Sequence, residues 1–84
     1  MTHLWIAGLE IAVQAIPDGR PGSFTWSGRM HPTAGVCNGW RVHTDWWHQE
    51  IWRDYYKVQT EDGLLCIMYH DLLTDQWHLV RIYD

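Results

Sequence analysis

The chain has 84 residues, a formal net charge of −4 and a pI of about 5.8. That length makes a single domain spanning residues 1–84 with little core volume. The acidic balance argues against strong non-specific nucleic-acid binding, which works through a basic footprint.

Aromatic residues answer the shortage of core. Seven Trp, four Tyr and one Phe are present, and each such ring buries roughly 150–250 Å² when covered. The plainer reading is that they replace missing aliphatic volume; the sharper one is that some form a stacking or docking face. No apolar run approaches the ~18 residues of a membrane helix. The N-terminus lacks the basic and apolar stretches of a secretory signal. The expected protein is cytoplasmic, with no membrane partner.

In chain order, Leu9–Ile16 alternates, with Leu9, Ile11, Val13 and Ala15 opposite Glu10, Ala12 and Gln14, the period of a strand buried on one face. Pro17-Asp18-Gly19 and Pro21-Gly22 then turn the chain. Ser23–Met30 alternates again, with Phe24, Trp26 and Met30 on one side and Gly28 as a bulge. Asn38-Gly39, between Thr33–Cys37 and Trp40–Thr44, predicts a type I′ hairpin turn. The segment Thr44–Arg53 has neither clean alternation nor a helical stripe. It reads as an irregular, Trp-rich connection with one helical turn capped by Thr44 or Asp45.

Asp54–Glu61 and Leu64–Tyr69 flank Asp62-Gly63, a second hairpin signal of the same kind with Gly63 at positive φ. Leu64–Tyr69 is apolar on both faces, as suits a central strand, and Tyr56 and Val58 belong to the core. Leu72–Gln76 turns the chain into the last strand, Trp77–Tyr83. The fold class is all-β: a small, partly open antiparallel barrel or curled sheet of five to seven short strands.

Chemistry is sparse. Cys37 and Cys66 both sit in apolar runs and read as reduced, buried hydrophobes. His43, Asp45 and His48, with His31, His70 and His78 elsewhere, match no zinc spacing, so no metal and no cofactor are expected. There is no GxSxG elbow, no GxGxxG and no P-loop, and the carboxylates fall mostly at strand ends and turns. No catalytic residue is assigned, and the protein is not expected to be an enzyme. Trp40-Arg41, Trp52-Arg53 and Arg81 with Tyr83 interleave cations with rings, as on base-stacking barrels.

The runs Arg41-Val42-His43-Thr44-Asp45-Trp46-Trp47, Trp52-Arg53-Asp54-Tyr55-Tyr56-Lys57-Val58, Thr60-Glu61-Asp62-Gly63, Tyr69-His70-Asp71-Leu72 and Trp77–Asp84 follow one another here. With Gly19-Arg20-Pro21 and Phe24–Arg29 before them, they resemble an uncharacterised small bacterial domain over residues 9–84. That domain occurs alone and at the C-terminus of some ImuB-type proteins, catalytically degenerate Y-family polymerase homologues of the translesion mutagenesis cassette. The resemblance implies a docking role near lesion bypass and no catalytic residues. This chain has no polymerase part, so such a role would act through a partner.

The leading expectation is therefore a non-enzymatic protein-interaction module, an accessory of DNA-damage tolerance. Its surface is expected at Trp46, Trp47, Trp52, Arg41 and Arg53, since exposed aromatic patches mark interaction sites. The partner would be a DNA-repair protein or a second copy of the chain. The alternative is a barrel that binds single-stranded nucleic acid or a small ligand.

Overall fold

The computed structural model describes residues 2–46 and 49–83. Its elements are β1 (His3–Ala15), β2 (Pro21–Trp26), β3 (Arg29–Trp46), β4 (Gln49–Thr60), β5 (Leu65–Asp71) and β6 (Gln76–Tyr83). Each pairs antiparallel with the next, and β6 returns to β1, so the meander closes into a ring. The all-β, antiparallel reading holds, although β3 runs for 18 residues and β1 for 13, longer than the short strands expected.

Turn chemistry explains the meander. Between β1 and β2, Gly19 N–H donates to the Ile16 carbonyl at 2.9 Å and Ile16 N–H to Arg20 at 2.8 Å. Between β4 and β5 the same pattern recurs, Gly63 to Thr60 at 3.1 Å and Thr60 to Leu64 at 2.8 Å. Both are three-residue loops whose glycine is left-handed, at φ 93° and 92°. Gly63 thus has the positive φ expected of it, in a longer loop than a two-residue turn. Between β5 and β6, Asp75 takes φ 59°, which Asp tolerates, and donates its N–H to Asp71 at 2.8 Å.

The two-residue hairpin lies at Ser27-Gly28, where φ is 54° and 75°, the signature of a type I′ turn. Gly28 is therefore a turn residue, not a bulge within one Ser23–Met30 strand. The reversal also moves Met30. It pairs with Thr25 and points outward, 59% exposed, whereas Phe24 and its partner His31 are buried.

Asn38-Gly39 is not a turn. β3 runs straight through it, pairing with β4 from Thr33↔Thr60 to Trp46↔Gln49, and Gly39 is not left-handed. The physical reason is competition. A turn there would pair the two halves of β3 with each other and abolish the whole β3–β4 ladder. Irregularities near Ala34 and Cys37 absorb the extra residues instead. The same ladder overturns the irregular connection at Thr44–Arg53: Thr44, Asp45 and Gln49 to Arg53 are strand, without the helical turn expected. Trp47 and His48 lie outside the described residues.

The ring is stapled unevenly. β2 holds β1 only at Ala12–Ala15 and β3 only at Arg29–Pro32. Before Ala12, β1 pairs with β6; beyond Pro32, β3 pairs with β4. Among the described residues, the other edge of each of these stretches has no partner strand, so the barrel is partly open. Its interior is filled by Phe24, Val58, Cys66, Met68, Trp77, Leu79 and Ile82, with Trp5, Ile11, Val13, Trp26 and Tyr56 packed against them. The rings thus do supply core volume, and Val58 and Tyr56 stand where the alternation put them.

Candidate binding surface

Strand alternation leaves a second set of rings on the outer face. Trp40↔Tyr55, Tyr55↔Tyr69 and Tyr69↔His78 are successive register partners on β3, β4, β5 and β6. Side chains in register on one face meet, and here they form a continuous row. Trp40 and Tyr55 stack at 5.4 Å with planes 5° apart; Tyr55 and Tyr69 lie at 5.2 Å, and Tyr69 and His78 at 4.8 Å. Exposure grades along the row: Tyr69 is buried at 4%, while Trp40 is 41% exposed. Burial pushes the Tyr69 phenol above its ordinary pKa.

Cations frame this row. The Arg53 guanidinium lies 4.4 Å from the Tyr69 ring centre and donates to the Tyr55 hydroxyl at 3.3 Å. On the other side of the row, Lys57, Ile67 and Arg81 are in register across β4, β5 and β6. Arg81 donates to the Tyr83 hydroxyl at 3.0 Å and lies over that ring.

The opposite face of the β3–β4 hairpin has different chemistry. Arg41 grips Asp54 through two hydrogen bonds of 2.6 and 3.0 Å. Its guanidinium holds the Asp54 carboxyl below the ordinary value. Arg41 also sits 5.9 Å from the half-buried Trp52 ring, on which His43 stacks at 5.1 Å.

The residues singled out from the sequence are thus divided. Arg41 and Trp52 share one face of the hairpin, and Arg53 lies on the other with Trp40 and Tyr55. Trp46 pairs with Gln49 through its backbone, and Trp47 lies outside the described residues. Reading the sequence missed Trp40, Tyr55, Tyr69 and His78 as a unit. The signal was faint: they stand at unrelated spacings, and only the β3–β6 register aligns them.

The histidines among the described residues do not converge. His31 meets Asp62 at 3.0 Å, His70 meets Asp75 at 2.7 Å and His43 meets Glu50 at 3.5 Å, each in a separate place. Among the described residues no group of three or more His, Cys, Asp or Glu side chains could hold a metal. The cysteines part company as well. Cys66 is buried in the core, and burial pushes its thiol up to about 12. Cys37, expected inside, is exposed: it stands at the irregular step between Val36 and Asn38, where the strict alternation of its strand lapses.

These features define a small antiparallel β-barrel domain with an aromatic, cation-framed outer face and an unpaired edge. A domain of unknown function, DUF6504, matches residues 9–84, and the chain belongs to that family. Comparison with curated proteins and with solved structures finds no match. The matched span includes the whole aromatic row; the preceding residues contribute Trp5 to the core and Gly8, whose backbone crosses close over Tyr69 and His78.

Proposed function

We propose that this domain is a non-enzymatic protein-interaction module that adds an extended segment of a partner protein to the free edge of β3. The observation that supports this reading is the unpaired stretch from Asn38 to Thr44. It lies beyond the bulge at Cys37 and pairs without a register shift to β4 on one side only. Unpaired edges offer rows of N–H and C=O groups to an incoming strand, and bulges are the usual deterrent. Asn38–Thr44 lacks one. Trp40 and Arg41 are exposed on this strand, and Trp52 sits beside Arg41, so an added strand would meet an anchor on either face.

The partner we propose is a protein of DNA-damage tolerance, a reading supported by the sequence resemblance alone. A photo-crosslinker on Cys37 tests both parts, because the thiol is exposed at the head of the edge. Cross-linking in cells of the source organism, with and without DNA damage, should give a discrete adduct with a lesion-bypass protein. The edge charges Asn38→Lys and Thr44→Lys should abolish it. An adduct with a second copy of the chain would replace the partner and keep the edge. Adducts indifferent to the two lysines would refute the edge itself.

A further inference from the structure

We propose that the outer face of the β3–β6 sheet is a second binding site, for single-stranded nucleic acid, which shares Trp40 with the free edge of β3 and otherwise rests on other strands. Three observations converge on it.

The first is the ring row itself. A strand of unpaired bases binds proteins by laying base faces on aromatic side chains, whatever the sequence. Trp40 ends the row with 41% of its surface exposed and its plane parallel to Tyr55. Tyr69, buried behind them, holds Tyr55 in place from the other side. The row is a supported platform, not a loose side chain.

The second is the position of the cations. Arg53 lies on one side of the row, and Lys57 and Arg81 on the other. Arg53 and Lys57 are four residues apart on one strand, about 14 Å at ~3.4 Å per residue. An extended single strand crossing the row would meet positive charge before and after its stacked bases. Both arginines hydrogen-bond tyrosine hydroxyls, Tyr55 and Tyr83, which fixes their guanidinium groups while leaving donors for phosphate.

The third is charge segregation, which resolves the conflict with the net charge of −4. Asp18, Glu61, Asp62 and Asp75 stand in or beside the turns between strands. Asp45, Glu50 and Asp54 share the opposite face of the hairpin, where Arg41 already neutralises Asp54. Among the described residues, the outer face retains Glu10 and Asp71 near the row, by their register with His78 and Arg53. Three cations against these two carboxylates leave the face with a small positive excess that the composition hides, concentrated at Lys57 and Arg81, away from Asp71. A single strand fits this face where a duplex does not, because a duplex keeps its base faces stacked away from the rings.

The test is fluorescence anisotropy of labelled oligo-dT and oligo-U of twelve nucleotides with the whole chain. Saturable binding is expected, with a log–log salt slope of about −2 for contacts to three phosphates on a single strand. Trp40→Ala should weaken binding about fivefold or more through loss of a base stack. Lys57→Gln with Arg81→Gln should cut the slope to about −0.7, that of one remaining phosphate contact. Arg29→Gln, in an exposed position at the β2–β3 turn, should change nothing. Where Trp40→Ala unfolds the domain, the Lys57/Arg81 double variant decides, with an unchanged far-ultraviolet spectrum as its control. No saturable binding to either oligonucleotide would overturn the proposal. So would equal competition by duplex, or a loss with Arg29→Gln as large as with the double variant. The Asn38→Lys and Thr44→Lys edge variants should bind at least as tightly, since Asn38 pairs with Lys57 and a lysine there adds positive charge to this face. The same variants should abolish strand addition, so this site and the edge fail separately.

Discussion

Gly63→Ala and Gly39→Ala together test the register on which every surface above depends. Gly63 has φ 92°, and an added Cβ would meet nothing within 4 Å, so its substitution costs backbone strain alone. Left-handed geometry costs an L-residue about 1–2 kcal/mol. The restricted unfolded chain returns part of that, leaving a net loss of about 1 kcal/mol. Gly39 is not left-handed, and its Cβ would lie 3.6 Å from the Tyr55 carbonyl oxygen and 3.7 Å from the Tyr56 ring, ordinary contacts. Alanine there has no strain to introduce and should stabilise by up to about 0.4–1 kcal/mol through the unfolded state. For a domain of this size 1 kcal/mol moves the melting temperature by about 4–8 °C. Urea unfolding followed by tryptophan fluorescence and by circular dichroism should show midpoints displaced in opposite directions with equal slopes. If Asn38-Gly39 were the hairpin turn that its dipeptide advertises, Gly39→Ala would lose as much as Gly63→Ala. Equal losses would refute the continuous β3 strand and, with it, the aromatic row.

Maleimide at pH 8 should label Cys37 and spare Cys66, whose burial both blocks access and keeps the thiol protonated; mass spectrometry should find one adduct natively and two in denaturant. The Arg41 pairing lowers the Asp54 carboxyl below its ordinary 3.8, so its stabilisation is complete above that pH and is lost as pH falls through the depressed folded value. Because Arg41 is exposed, Asp54→Asn should cost no more than about 1 kcal/mol near neutrality, and the difference from the parent should shrink in acid melts. Met68→Ala, at a fully buried position of the ring interior, should cost about 2–5 kcal/mol in urea unfolding, and a loss below 1 kcal/mol would contradict the core described.

What the sequence reveals of the fold follows from what local patterns can encode. The apolar run of β5 depends only on which face is buried, and it stands. The alternation of Leu9–Ile16 holds at Ile11 and Val13, which pack on the core. Leu9, beside the irregular step of β1 against β6, and Ala15, near the end of β1, are instead exposed. The glycines of Pro17-Asp18-Gly19 and Asp62-Gly63 are required by φ alone, and both are left-handed. Ser27-Gly28 and Asn38-Gly39 are the instructive pair, since both dipeptides suit a type I′ turn. Only long-range pairing decides between them: closing at Ser27-Gly28 lets Phe24 and His31 enter the interior side by side and frees β3 to run the length of β4. Cys37 illustrates the same limit. An apolar neighbourhood in sequence put it inside, and a register shift one residue wide left it exposed.

The candidate surface was hidden for a related reason. Adjacent rings catch the eye in a sequence, yet in a strand adjacent residues point to opposite faces and cannot act together. Rings that do act together lie on different strands, and Trp40, Tyr55, Tyr69 and His78 become neighbours only when three registers are set at once. Two consecutive tyrosines show how the division works. Tyr56 turns inward to stack on Trp77 at 5.7 Å as core, and Tyr55 turns outward between Trp40 and Tyr69. A domain too small to fill its interior with aliphatic side chains spends rings on that task. Placing a second set outside needs a separate reason, because solvent-facing tryptophan contributes little to folding. For the row over β3–β6, framed by Arg53, Lys57 and Arg81, the proposed single strand would supply that reason, because it stacks on rings and bears negative charge.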